Sequence, residues 1–137
     1  MLPKQNQEGQ TNPIDITTKE ARESLAKMVI KLFDHWQIAP VAQCLLLGMS
    51  SGGRMTLNRY RRGLPLGNSI DLLARVGHLI SIHKTLRTMF PQNRDLVYRW
   101  VSSPNARFAG RPPLEIMCEG YEGLMAIRRY LDFERDR

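Results

Sequence analysis

The chain has 137 residues and a formal charge of +7, the size of one compact domain or of two small helical subdomains sharing a core. Its two cysteines, Cys44 and Cys118, are too few for a disulfide framework or a zinc cluster. No run approaches the roughly 20 apolar residues that cross a bilayer, and the opening M-L-P-K-Q-N-Q-E-G-Q lacks the apolar stretch of a secretory signal, so a cytoplasmic protein with no membrane partner is expected.

The placement of the charge says more than its size. From Met1 to Asp34 five basic residues face five acids, and from Val101 to Arg137 six face six. The whole excess lies between His35 and Trp100, where nine lysines and arginines meet only Asp71 and Asp95. A one-sided basic block of this kind is the electrostatic footprint of a nucleic-acid binder, because phosphates that it neutralises release their counterions.

In chain order, residues 1–16 are polar and broken by Pro3, Gly9 and Pro13, which predicts a disordered arm. Thr17 or Thr18 can cap the helix that follows, with Glu20 near its positive end. Leu25, Met28, Val29, Leu32, Phe33 and Trp36 then recur at steps of three and four, the stripe of a core helix. Pro40 suits the first turn of a second, nearly all-apolar helix to about Leu47. The S-S-G-G turn, Ser50 to Gly53, leads into a short helix from about Arg54 to Arg62 with Leu57, Tyr60 and the following Leu64 inward.

A long helix is expected from about Ser69 to Phe90, ended by Pro91. A short one starts at Asn93 or Asp95 and carries Leu96, Val97 and Trp100 inward. The loop Ser102 to Pro113 is dense in turn formers and shows an exposed-looking Arg107, Phe108 and Arg111. Pro112 and Pro113 open a helix through about Cys118, Gly120 breaks it, and Tyr121 to about Glu134 forms the last. No strand pattern occurs, so the fold class is all-α.

Catalytic and metal chemistry find no support. His78 and His83 are five apart and fall on different helical faces, which defeats joint metal binding. No phosphate-binding glycine motif occurs, since S-S-G-G follows a helix rather than a strand. Glu115, Glu119 and Glu122 read as a surface charge cluster. No enzyme, no cofactor, no catalytic residue and no metal site is expected.

Recognition remains. Residues 41 to 62 supply the buried helix, turn and outward-facing helix of a helix-turn-helix unit. Arg54 and Asn58, near the start of the second helix, match guanine and adenine edges. Arg59, Arg61 and Arg62, nearer its end, suit phosphates. A compact unit of this type would place Thr56 and Leu57 about three positions closer to Gly48, so S-S-G-G is a lengthened turn. In the loop, Phe108 between two arginines has the look of a protein-interaction anchor.

The helix ending I-S-I-H-K-T-L-R-T-M-F-P, then W-V-S-S-P-N-A-R-F-A-G-R-P-P-L-E-I-M, then G-Y-E-G-L-M-A-I-R-R-Y-L, resembles the Xre/MbcA/ParS antitoxin family from about Leu25 to the C-terminus. The resemblance implies an Xre-like helix-turn-helix region over 17–67 packed with a helical toxin-binding domain over 68–137. It implies a RES-domain toxin partner that consumes NAD or transfers ADP-ribose from it, whose active site the C-terminal domain covers. It also implies operator DNA as a second partner, autorepression, and a homodimer. By position, Asn105, Arg107, Phe108, Gly110, Arg111 and Pro112 match the family's loop motif, and Arg128, Tyr130 and Leu131 its last helix, so these are expected at or near the toxin. The alternative is a stand-alone transcriptional regulator without a toxin.

Overall fold

The computed structural model describes residues 15–50 and 52–137; the arm expected over 1–16 lies outside them but for Asp15 and Ile16. Helix α1, Lys19–Trp36, starts where the Thr18 hydroxyl accepts from the Ala21 amide at 3.1 Å, covering one of the donors a helix start leaves open. It ends where Gln37 turns left-handed at φ 57°. Ala26, Val29, Ile30 and Phe33 are buried at an i, i+3, i+4, i+7 spacing, with Leu32 and Trp36 beside them. That register turns Met28, expected in the stripe, 45% toward solvent.

Helix α2, Pro40–Leu46, has its proline at the first turn, as expected. The linking turn brings the chain to α3, Arg54–Arg61, which packs on α1 and α2. Leu57 and Tyr60 are buried, but the next inward residue is Leu66, fully buried, whereas Leu64 is 46% exposed. The reason is a clasp. The Arg22 guanidinium donates to the Leu66 carbonyl at 2.7 Å, and the Leu66 amide donates back to the Arg22 carbonyl at 3.2 Å.

Helix α4, Ile70–Met89, is capped by the Ser69 hydroxyl on the Leu72 amide. It packs against α1, against α5 (Arg94–Arg99) and against α7 (Tyr121–Asp136), so its apolar residues face several directions rather than one stripe. Asn93 caps α5. The chain then tightens through 3-10 turns at Trp100–Ser102 and Ala106–Phe108 before α6, Pro113–Met117. Val97 and Val101 are buried, while Leu96 and Trp100, expected inward, are half-buried.

Helices α6 and α7 meet at very short range. A Cβ on Gly123 would lie 1.9 Å from the Ile116 carbonyl oxygen, a contact that only glycine permits. Among the described residues there are seven α-helices and no strand. A single apolar core runs from Ala26 of α1 to Leu131 of α7, giving the all-α fold expected.

Candidate interaction surfaces

The loop before α6 is held by Asn105. Its side-chain oxygen accepts from the Arg107 amide at 2.9 Å, and its carbonyl accepts from the amides of Phe108 and Gly110 at 3.0 and 2.9 Å. Two successive left-handed residues, Ala109 at φ 58° and Gly110 at φ 84°, then reverse the chain. A glycine suits the second without a Cβ penalty.

This geometry sorts the candidate residues. The Phe108 ring meets the Tyr130 ring edge-on, with centroids 5.1 Å apart, and Tyr130 stacks on Trp100 at 6.4 Å. Phe108 and Tyr130 are therefore half-buried, anchoring the loop to α7, where sequence alone made Phe108 look exposed. Leu131 is core. Pro112 precedes the first turn of α6. Arg107 is exposed. Arg111 reaches Glu115 at 3.1 Å and also pairs with Glu119. These bonds, Glu119 first, hold its guanidinium pKa above the ordinary value.

Arg128 faces the α4–α7 seam. Its guanidinium lies 2.6 Å from His78 Nδ1, and His78 Nε2 lies 2.7 Å from the Tyr121 hydroxyl. Arginine can only donate, so Nδ1 is the acceptor and the ring is neutral, with its proton on Nε2. Burial first, and then the Arg128 charge, lower the His78 pKa. The Arg75 guanidinium sits 5.5 Å from the Tyr121 ring centre and is paired with Asp71 at 2.9 Å. No local sequence signal joins His78 to Tyr121; they meet only because α4 and α7 pack together.

On α3, Arg54, Asn58, Arg59, Arg61 and Arg62 are all exposed. Four of these, with Met55, line a shallow depression of about 430 Å³. They differ in availability. Arg61 forks onto Asp34 of α1 with bonds of 3.0 and 3.1 Å, whereas Arg54, Arg59 and Arg62 have no ion-pair partner among the described residues. The distribution of charge singled out this segment, but the fork on Asp34 is a long-range contact that spacing could not show.

Among the described residues no group of three or more His, Cys, Asp or Glu is placed to hold a metal, and no helix is long and apolar enough to cross a membrane. Residues 85–137 match the model of the antitoxin Xre/MbcA/ParS C-terminal toxin-binding domain. The chain is also 31% identical over 108 residues to the uncharacterized protein y4oB of Sinorhizobium fredii (strain NBRC 101917 / NGR234), an alignment covering 77% of this chain and 79% of that protein. The chain belongs to the Xre/MbcA/ParS antitoxin family. The matched domain gives it the role of an antitoxin and a toxin for a partner.

Proposed function

We propose that the chain neutralises a RES-domain toxin, one that consumes NAD or transfers ADP-ribose from it, by covering the active-site cleft with residues 68–137. The observation that carries this reading is the loop from Asn105 to Pro112. It is fixed from within by Asn105, anchored by Phe108 on Tyr130, and leaves Arg107 exposed and Arg111 half-exposed beside Glu115 and Glu119. Cationic side chains held on a preorganised loop lose little freedom on binding, which favours a tight complex. In this reading Arg107 and Arg111 touch the toxin. Asn105, Gly110 and Pro112 shape the loop, and Arg128 and Tyr130 set the face of α7 behind it.

Residues 17–67 form the second functional region in this proposal, a helix-turn-helix that represses the module's own operon. Arg54 and Asn58 are directed to bases and Arg59 and Arg62 to phosphates, supported by their exposure and lack of ion-pair partners. Exposed apolar side chains on the first helices, Met28, Val41 and Leu45, supply surface for a homodimer acting in the cytoplasm. Expression of the neighbouring gene with and without this chain tests the antitoxin reading. Growth arrest that this chain relieves is the expected result, and arrest that it cannot relieve refutes the RES-toxin pairing. A mass measurement of the co-purified pair gives the stoichiometry.

A further inference from the structure

Three of the nine basic side chains between His35 and Trp100 are neutralised within the fold: Arg61 by Asp34, Arg75 by Asp71 and Arg99 by Asp95. The other six divide into two groups of three. Arg54, Arg59 and Arg62 belong to α3 and its end. Lys84, Arg87 and Arg94 surround a separate depression of about 740 Å³ where α4 gives way to α5, with Thr88, Phe90 and Tyr98 also in its wall.

No acid lines this depression, and none of its three cations has an ion-pair partner among the described residues. Like charges around one concavity repel, and the concave wall concentrates their field on whatever enters. The occupant that relieves this is an anion of more than one charge. The walls also restrict its kind. His35 and His83 stack with the Tyr98 ring at 4.4 and 5.4 Å, and the Arg94 guanidinium lies 5.7 Å from its centre, so the ring is already engaged and offers no platform to a nucleobase. The Thr88 hydroxyl already donates to the Lys84 carbonyl. What is left to bind with is two guanidinium forks and an ammonium, donors suited to phosphate oxygens.

The site is also connected to α3. Arg94 and Tyr98 line a second depression of about 650 Å³ together with Asp34, the carboxylate that holds Arg61 of α3. The acids in this middle stretch, Asp34 and Asp95, are each neutralised by an arginine, so no net negative charge separates the two cationic groups.

We propose that Lys84, Arg87 and Arg94 are a second phosphate-binding site, outside the helix-turn-helix, that holds the sugar-phosphate backbone of the same DNA duplex whose bases face α3. The proposal rests on the DNA-binding reading given above. It places DNA contact at the start of the residues matched to the toxin-binding domain, 85–137, with Lys84 just before them and Arg87 and Arg94 within them.

The test is fluorescence anisotropy of the full chain on the duplex upstream of its gene, over a salt series from about 50 to 200 mM. The triple variant Lys84→Ala, Arg87→Ala, Arg94→Ala should bind with a shallower salt dependence. The slope should drop by about 0.9 for each phosphate that is no longer neutralised, up to about 2.7, with base preference retained. The variant Arg87→Lys, Arg94→Lys keeps the charge and should keep most of the slope. All three side chains are exposed, so the melting temperature should stay close to that of the parent. If the parent binds with a steep slope and the triple variant matches it, this site is refuted while the DNA reading stands. If the parent does not bind at low salt, both fail. If the triple variant keeps the parent slope but no longer binds the toxin, the depression takes an acidic protein surface and the proposal is overturned.

Discussion

The Arg128 guanidinium lies 2.6 Å from His78 Nδ1, so this pair is compatible only with a neutral imidazole. Burial, with Arg128 adding to it, lowers the His78 pKa, and burial lowers that of His83, with Arg87 and His35 adding to it. For a histidine depressed in the native state, the unfolded chain takes up the proton first as pH falls. Stability is therefore complete above the ordinary histidine value of 6.5 and declines below it until the native pKa values are passed. Melting temperatures measured across that window should fall with acidity, and a His78→Gln, His83→Gln variant should show a flatter profile. An unchanged profile would mean that neither ring titrates differently on folding.

Gly123 and Gly77 make opposite predictions from the same substitution. Gly123→Ala drives a Cβ into the Ile116 carbonyl, and separating α6 from α7 should cost about 1–3 kcal/mol, as overpacking does. Gly77 is exposed within α4 with open space around it, so Gly77→Ala should stabilise by about 0.5–1 kcal/mol. Urea midpoints of the two variants decide the matter; equal shifts would contradict the close packing of α6 on α7.

In the complex proposed above, the loop separates residues that would touch the toxin from residues that hold a shape. Arg107→Glu should weaken toxin binding at least tenfold with little change in melting temperature. Asn105→Ala removes the acceptor for the Arg107 amide, a cap-like loss of about 1 kcal/mol, and should weaken binding by disordering the same surface. Calorimetric titration of the toxin into each variant, with melting curves beside it, distinguishes the two. A large melting loss in Arg107→Glu would make that side chain structural.

Asp34 holds Arg61 by a two-bond fork, so Arg61→Ala should reduce DNA affinity less than Arg54→Ala or Arg59→Ala. Conversely, Asp34→Asn frees a cation on α3 and should steepen the salt dependence by up to about 0.9. A mobility-shift series over salt measures both. If Arg61→Ala is the most damaging of the three, the fork opens on DNA and the ranking is wrong.

Helix positions were largely legible in the sequence because their boundaries are local chemistry. Thr18, Ser69 and Asn93 are caps, Pro40 and Pro113 fit first turns, and Gly63 and Gly120 are breaks. Facing was less legible. Met28 and Leu64 have the spacing of buried residues, but a packing register and the bonds between Arg22 and Leu66 decide against them. The loop motif marked residues that lie together in one fixed loop, yet Phe108 turns inward rather than outward because it meets Tyr130, more than twenty residues away. The Lys84, Arg87 and Arg94 group was present in the charge distribution, but only the meeting of α4 and α5 makes it a site.

The reciprocal bonds between Arg22 and Leu66 have a mechanical consequence. They tie the segment leaving α3 to the first turns of α1, so force applied to the end of α3 is carried directly into the longest buried stripe of the N-terminal half. A ligand that displaced that end of α3 would have to break two long-range hydrogen bonds at once. The segment entering α3 from α2 has no such strap among the described residues. Adjustment of the cationic helix to the curvature of a duplex is therefore expected to pivot on its arginine-rich end, with its glycine-led start swinging.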